Sequence, residues 1–206
     1  MKARAGRLPR RMSSRPRKFP LAVLALLAVL ALSACGDAHT RVTTGTYAGE
    51  SGANAPYLNV GPLTYEVQLS RELNPFNVED SVYLQGLSPA EGKLEPGQEW
   101  FGVFLQVYNN TSQALPAAES VTITDTQGNT YSPVVPGQVN QFAYRAGMVP
   151  AKGQLPVSDS VADYGPTQGE LLLYKIQIVS LDNRPFELKI LDPTDAAQSA
   201  SAELDV

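Results

Sequence analysis

Between residues 63 and 191, apolar and polar residues alternate in a series of short stretches. A period of two places successive side chains on opposite faces of an extended chain, so each stretch predicts a β-strand with one buried face. The predicted strands cover residues 63–69, 99–108, 121–124, 130–131, 139–144, 170–179 and 186–191. Their short spacing, with turn residues between them, predicts an all-β antiparallel sandwich. A closed barrel is the alternative arrangement of the same strands.

Breaks in this alternation predict turns and close packing. Asp125, Gly128 and Asn129 separate two strands, a composition typical of a tight hairpin whose residues can adopt positive φ. Gly102 interrupts the apolar stretch 99–108, which predicts a bulge or a close contact. Helical signals are limited to single turns near residues 78–83 and 158–164. Sixteen prolines and 16 glycines oppose longer helices.

The first 34 residues have a different pattern, in which a basic stretch precedes an unbroken apolar run. Residues 2–18 hold eight of the 16 Lys and Arg and no acid, and residues 21–32 are all Leu, Ala or Val. Twelve residues at about 1.5 Å each span roughly 18 Å, which is shorter than the hydrocarbon core of about 30 Å. The run therefore predicts the hydrophobic region of a cleaved signal peptide covering residues 1–34.

The apolar run ends in Leu32-Ser33-Ala34-Cys35-Gly36, which resembles the lipobox of bacterial lipoprotein signal peptides. The resemblance implies lipidation of the Cys35 thiol and cleavage between Ala34 and Cys35. Cys35 is the only cysteine, so an internal disulfide is excluded, and an unmodified thiol is the alternative state. Because two or more acyl chains hold a protein stably, we expect a lipid anchor on the extracytoplasmic face of the cell membrane.

Low-complexity segments flank the predicted strands. Residues 35–61 are rich in Gly, Ser, Thr, Ala and Asn without a helical or strand period, which predicts a flexible tether. Residues 193–206 are small, polar and acidic, which predicts a disordered tail. The predicted sandwich domain therefore spans residues 62–192.

Loss of the signal peptide changes the charge of the protein. From Cys35 onward the chain has eight basic and 20 acidic side chains, a net charge of −12. A surface this acidic repels phosphate backbones, so we expect no nucleic-acid partner. The 43% hydrophobic and 17% charged residues fit a packed core.

Residues 91–191 resemble a known family in their strand and turn motifs. The strand that begins Glu99-Trp100, the turn at residues 109–111 and the hairpin at residues 121–133 resemble the immunoglobulin-like domain of uncharacterised bacterial lipoproteins. This is a domain-of-unknown-function family related to secreted immunoglobulin-like antigens. The resemblance implies an immunoglobulin-like antiparallel β-sandwich of about seven strands. It implies no activity, because the shared motifs concern only the fold.

Reactive side chains are scarce in the predicted domain. The only histidine, His39, falls in the predicted tether, and the only cysteine is Cys35. The domain therefore cannot form a Ser-His-Asp or Cys-His site, nor a zinc or copper site of the usual His and Cys type. We expect no catalytic, cofactor-binding or metal-binding residues.

Oxygen-based chemistry is the remaining alternative. Four carboxylates are candidates for a two-acid glycosidase, and the last two of them also for calcium: Glu79, Asp80, Asp159 and Asp163. Their spacing is not specific, and an acidic surface explains them better. Trp100, Tyr144 and Tyr174 could stack on a sugar or a peptide, although aromatic side chains in strands usually belong to the core.

These observations predict a non-enzymatic binding or adaptor module, anchored in the cell envelope through lipid and directed at an envelope protein or glycan. Residues 65–86 form the least generic stretch of the chain and are the first candidate for partner binding. One alternative is a carboxylate-dependent envelope glycan hydrolase. Another is a structural or envelope-assembly lipoprotein without a ligand.

Overall fold

A computed structural model describes residues 40–44 and 57–204, which belong to one compact unit, Asp37–Val206. The predicted signal peptide, with Ala34 and Cys35, lies outside the described residues, so these predictions stay as they are. Among the described residues, no helix is long and apolar enough to span a bilayer.

Twelve strands and four short helices make up the regular secondary structure of the described residues. The strands are β1 (Thr40–Thr44), β2 (Tyr57–Val60), β3 (Leu63–Leu73), β4 (Gln98–Tyr108), β5 (Leu115–Pro116), β6 (Val121–Thr124), β7 (Thr130–Tyr131), β8 (Met148–Val149), β9 (Gln154–Leu155), β10 (Glu170–Gln177), β11 (Phe186–Leu191) and β12 (Ser199–Leu204). Single-turn α-helices cover Val78–Ser81 and Val161–Tyr164, where the sequence predicted them, and 3₁₀ helices cover Val82–Leu84 and Ile178–Asp182.

Two sheets form the architecture. The first has the order β1-β12-β11-β6-β7, with β1 parallel to β12 and the other pairs antiparallel. The second is the antiparallel sheet β10-β4-β3-β2. Strand β9 pairs with β4 on the same side as β10, next to the residue at which β10 begins. The predicted all-β antiparallel sandwich is confirmed, although the described residues contain more strands than the expected seven.

The main core lies between the two sheets. Alternate residues of both sheets fill it, including Tyr65, Phe101, Tyr174, Ile123 and Phe186, all fully buried. The Phe101 and Phe186 rings meet edge to face with centroids 5.5 Å apart, which joins β4 of one sheet to β11 of the other. The period of two read from the sequence therefore identifies the core residues of β6 and β11, whereas β2 and β12 contribute core residues from outside the predicted strands.

A second apolar cluster covers the outer face of the β3-β4-β10 sheet. It contains Leu73, Tyr83, Trp100, Phe104, Leu171 and Leu173. Strand β4 is consequently buried on both faces, which is why residues 100–105 contain no polar side chain. A Cβ on Gly102 would lie 2.9 Å from Leu171 Cδ1 and 3.0 Å from Leu73 Cδ1, so the close contact predicted at this glycine is confirmed.

The period of two places Leu69 on the same face as Tyr65, and a β-bulge in β3 shows that this prediction is wrong. The pairing register between β3 and β4 shifts between Val67 and Leu69. One extra residue reverses the side to which later side chains point, so Leu69 packs against the outer cluster and not with Tyr65. A similar correction applies to Ile178, which is half exposed because β10 ends at Gln177 and a 3₁₀ helix follows.

The predicted tether and tail are wrong where strands form. Within the predicted tether 35–61, residues 40–44 and 57–60 are β1 and β2. Within the predicted disordered tail 193–206, residues 199–204 are β12, which lies between β1 and β11 and is almost entirely buried. Serine and alanine give a weak strand signal, but a small side chain fits a crowded interior and the neighbouring strands pair its backbone.

The segment 139–144 is also not a strand. The Asn140 side chain donates to the carbonyl oxygens of Tyr83 and Gln85, at 2.8 and 2.9 Å, and accepts from the Phe142 and Ala143 N–H groups. These side-chain hydrogen bonds replace a strand ladder there.

The hairpin at residues 121–131 is confirmed, with Gly128 at φ 87°, whereas Asn129 keeps a negative φ.

Candidate functional site

Two adjoining hollows form a groove over Trp100, here named the Trp100 groove. The first, the acidic hollow, has a volume of about 460 Å³ and is lined by Glu72, Pro75, Phe76, Asp80, Glu99 and Trp100, among others. The second, the apolar hollow, has a volume of about 500 Å³ and includes Pro75, Leu84, Leu87, Pro89, Lys93 and Trp100. Because both include Pro75 and Trp100 in their lining, they adjoin each other.

Local hydrogen bonds fix the chain on one side of this groove. After β3 ends, the Asn74 side chain accepts from the Phe76 N–H at 2.9 Å, which turns the chain. The Asn77 side chain then accepts from the Glu79 N–H at 2.8 Å and caps the helix Val78–Ser81. The sequence Asn-Pro-Phe-Asn therefore folds into a defined turn that places Phe76 at the rim of the acidic hollow.

An ion pair attaches this turn to the sheet. Arg71 Nη2 donates to Asp80 Oδ1 at 2.6 Å, and the Asn74 N–H donates to Asp80 Oδ2 at 2.8 Å. Burial raises the pKa of Asp80, but the hydrogen bonds from Arg71 and Asn74 and the Arg71 charge outweigh burial and hold the pKa below its ordinary value. Asp80 is therefore an ionised, fully paired structural residue.

Trp100 is the floor of the groove. The residue is only 2% exposed, and the Lys175 ammonium lies 5.3 Å from the centroid of its ring. Lys175 Nζ also donates to the Lys93 carbonyl oxygen at 2.7 Å, which holds it in place. Trp100 therefore already attracts one cation through its ring, a preference that follows from the negative face of an indole.

Glu99 is the carboxylate in the acidic hollow whose hydrogen bonding is incomplete. Its Oε1 atom is buried and has no hydrogen-bond partner among the described residues. Burial raises the pKa of Glu99, and the negative charge of Glu72 raises it further. Glu72 and Glu99 place two carboxylates beside this hollow, and an unsatisfied buried acceptor such as Glu99 Oε1 costs about 1–3 kcal/mol. A cation that donates a hydrogen bond to this oxygen is therefore favoured there.

Two large apolar side chains stand out from the edge of the groove. Phe76 is 95% exposed and Val78 is 83% exposed, although the turn and helix that carry them are tightly hydrogen-bonded. Fixed, exposed apolar side chains beside a concave surface are typical of a binding surface.

A third hollow, the Tyr144 crevice, lies beside β10 and has a volume of about 420 Å³. Its lining includes Glu119, Val134, Tyr144, Arg145 and Leu172. Arg145 Nη2 donates to the Pro136 and Gly137 carbonyl oxygens, at 2.7 and 2.8 Å. Because both a cation and a carboxylate line it, the crevice does not select one sign of ligand charge.

Glu170, at the start of β10, is an unusual carboxylate close to Arg145. Burial raises its pKa to about 7, against the opposing effects of the Arg145 backbone hydrogen bond and the Arg145 charge. Its Oε2 atom is buried and has no hydrogen-bond partner among the described residues. Glu170 is therefore partly protonated at neutral pH.

The carboxylates predicted from the sequence lie in two separate places. Glu79 is exposed on the helix beside the groove, next to the paired Asp80. Asp163 accepts from the Asp159 N–H at 3.1 Å and from Gln154 Nε2 at 3.2 Å, so it caps a turn. Within residues 57–204, no group of three or more His, Cys, Asp or Glu side chains is placed to hold a metal ion.

The predicted stacking aromatics have different surroundings. Tyr144 and Tyr174 are buried, and their hydroxyls donate to the Ala118 and Val121 carbonyl oxygens, at 2.8 and 3.2 Å. These hydrogen bonds attach β6 and the segment before it to the neighbouring chain, and the fully buried Tyr174 offers no surface to a ligand. Trp100 lines both halves of the Trp100 groove, Tyr144 lines the crevice named after it, and Tyr174 lines neither.

Glu72, Phe76 and Glu99 are residues of the groove that the sequence did not single out. Phe76 was visible as an aromatic residue within a polar turn, Asn74-Pro75-Phe76-Asn77. Glu72 and Glu99 gave no comparable signal, because a glutamate near a strand end is common. Residues 65–86, the predicted binding stretch, supply much of the groove.

Comparison with known proteins adds little about function. No protein-family model and no curated protein matches the sequence. The yjhA protein from Bacillus subtilis is 11% identical with a TM-score of 0.47, covering 78% of this chain and 99% of that chain. ycdA from Bacillus subtilis, named provisionally as a lipoprotein, is 10% identical with a TM-score of 0.44, covering 75% of this chain and 39% of that one.

An uncharacterized β-sandwich protein from Clostridium difficile 630 is 12% identical with a TM-score of 0.42, covering 80% of this chain and 96% of that chain. Similarity at this level supports no inference about what this chain binds or catalyses.

Proposed function

We propose that this protein is a lipid-anchored, non-enzymatic binding module of the bacterial cell envelope, and that it holds a partner protein at the Trp100 groove. The lipobox at Cys35 supports the location, on the extracytoplasmic face of the cell membrane. The resemblance of residues 91–191 to immunoglobulin-like domains of bacterial lipoproteins supports the type of domain.

One observation carries the binding role. Phe76 is 95% exposed, yet the turn that carries it is fixed by Asn74 and by the ion pair between Arg71 and Asp80. Water-exposed aromatic surface is unfavourable by about 25 cal/mol per Å², so a rigid loop that presents it beside a groove favours a protein partner that covers it.

Photo-crosslinking in intact cells tests this proposal. A photoreactive amino acid replaces Phe76 in the full chain, and a matched control carries it at Val179, which is also exposed and apolar but does not line the groove. We expect a discrete protein adduct from position 76 and none from position 179. No adduct at position 76, or the same adducts at both positions, would contradict the proposal and favour an assembly role without a ligand.

A two-acid glycan hydrolase is the second candidate, because Glu72 and Glu99 line one hollow and the Glu72 charge adds to the effect of burial in raising the pKa of Glu99. A carboxyl whose pKa is raised by burial and by a neighbouring carboxylate suits a general acid. This pair replaces the four carboxylates considered from the sequence, Glu79, Asp80, Asp159 and Asp163. Hydrolysis of peptidoglycan or simple glycosides by the purified protein, lost in Glu99→Gln, would support it, and absence of hydrolysis in the unaltered protein would eliminate it.

A further inference from the structure

The Trp100 groove has two halves of different chemistry, and these halves specify a ligand. We propose that it binds an extended peptide segment in which a lysine or arginine side chain enters the acidic hollow and a neighbouring apolar side chain enters the apolar hollow. This inference rests on the proposed function and names the partner chemistry of the same site.

The charges around the acidic hollow favour a cation. Of its three carboxylates, Asp80 is neutralised by Arg71, whereas neither Glu72 nor Glu99 forms an ion pair within the described residues. The Glu99 carboxylate also has an oxygen without a hydrogen-bond donor. The last torsion of a glutamate side chain is broad, so rotation can present this oxygen to an N–H of the ligand.

The nearby lysines do not supply the missing charge. Lys175 lies over the Trp100 ring and donates to the Lys93 carbonyl oxygen, while Lys93 pairs with Glu95 at 3.1 Å. The exposed Pro75 and Phe76 side chains line the same hollow. A lysine or arginine of the ligand can pack its aliphatic stem against them while its charged end meets the carboxylates.

The apolar hollow favours a different side chain. Pro75, Leu84, Leu87 and Pro89 contribute to its lining, and Lys93 is the single charged residue of that lining. Because the two hollows share Pro75 and Trp100, one extended segment can occupy both. The net charge of −12 from Cys35 onward attracts a basic segment over a longer range and disfavours an acidic one.

Selection from a random displayed peptide library tests this specificity on mature protein purified from membranes. The Glu72→Gln and Glu99→Gln double variant removes two charges from the groove. The Glu119→Gln and Asp182→Asn double variant removes two exposed charges elsewhere and is the matched control. Equal thermal midpoints for the three proteins establish that all are folded.

We expect enrichment of peptides in which Lys or Arg adjoins an apolar residue. Their affinity should fall by about tenfold or more in the groove variant and stay within about twofold in the control, as expected for loss of a paired charge. In the unaltered protein their affinity should also fall as salt is raised.

Enriched peptides that lack basic residues, or binding that is indifferent to Glu72 and Glu99, would overturn the inference. A protein adduct from position 76 combined with no peptide enrichment would overturn the inference but still support the proposed function, so the two failures are distinguishable. A glycan adduct from position 76 would overturn both. Absence of both adduct and peptide binding would contradict both.

Discussion

The Arg71 guanidinium donates to the Asp80 carboxylate at 2.6 Å, and this contact ties β3 to the helix Val78–Ser81. Only 7% of the Asp80 side chain and 26% of the Arg71 side chain are exposed. The exposed Phe76 lies between these two residues in the chain, so its position depends on the ion pair.

Replacement of Asp80 by Ala is expected to lower the free energy of unfolding by about 1–3 kcal/mol, because Arg71 and the Asn74 N–H lose a partly buried partner. Urea denaturation measures this loss. The control is Glu95→Ala, which breaks the exposed Lys93 pair and should change stability by less than about 1 kcal/mol. Equal effects of the two substitutions would contradict the structural role of Asp80.

Stability should fall as pH rises through the pKa of Glu170. In the folded protein that pKa is about 7, above its ordinary value of 4.5, so the folded state retains a proton that the unfolded state releases. The contribution is complete below the unfolded pKa and is lost as pH approaches and passes 7. Glu170→Gln removes this dependence. The free energy of unfolding of the variant minus that of the unaltered protein should therefore be larger at pH about 8 than at pH about 5, by about 1–3 kcal/mol.

Thermal and urea unfolding of both proteins across this pH range measures the difference. Groups other than Glu170 titrate in both proteins, so their effects cancel in the comparison. A constant difference between the two proteins would mean that Glu170 titrates normally. A difference that grew as pH fell would contradict the sign of the shift.

The C-terminal strand should be essential to stability. Leu204 on β12 is fully buried, so Leu204→Ala is expected to cost about 2–5 kcal/mol through lost burial and a cavity. Lys189→Ala on the neighbouring β11 is the control, since Lys189 is exposed and should contribute less than about 0.5 kcal/mol. If urea denaturation found the same small loss of unfolding free energy for Leu204→Ala as for the control, the result would support the disordered tail predicted from the sequence.

Cys35 should carry the lipid that anchors the protein. Cys35→Ser is expected to abolish labelling by radioactive palmitate and to leave residues 1–34 attached, because the lipidation that precedes cleavage needs the thiol. Ser33→Ala keeps a small residue in the lipobox and should be labelled and cleaved normally. Intact mass spectrometry of both variants measures these outcomes, and an unmodified Cys35 in the unaltered protein would contradict the anchor.

Strands with strong alternation were predictable from the sequence, and those made of small residues were not. In β11, Phe186, Leu188 and Ile190 alternate with polar residues, and all three are buried. In β12, the Ser-Ala-Ser-Ala repeat has the same geometry but too little apolar contrast to be recognised. Its strand depends on β1 and β11 on either side, which is a tertiary effect.

The candidate site was predictable in location but not in chemistry. The turn signals of Asn74 and Asn77 and the capped helix are local, and they marked residues 65–86 as unusual. The approach of Glu99 to Glu72 depends on the pairing of β3 with β4, whose bulge after Val67 shifts the register. Sequence spacing carries no information about such a shift, so the carboxylates chosen from the sequence were different ones.

Deuterium uptake tests the central claim, that a partner protein covers the Trp100 groove, most directly. The lipid-anchored protein is compared in native envelope vesicles and in protein-free liposomes, so the membrane is present in both. We predict slower uptake in the envelope at residues 72–81 and 94–100, with unchanged uptake at Ile178–Asp182, which does not line the groove. Equal uptake at residues 72–81 and 94–100 in the two membranes would contradict the claim.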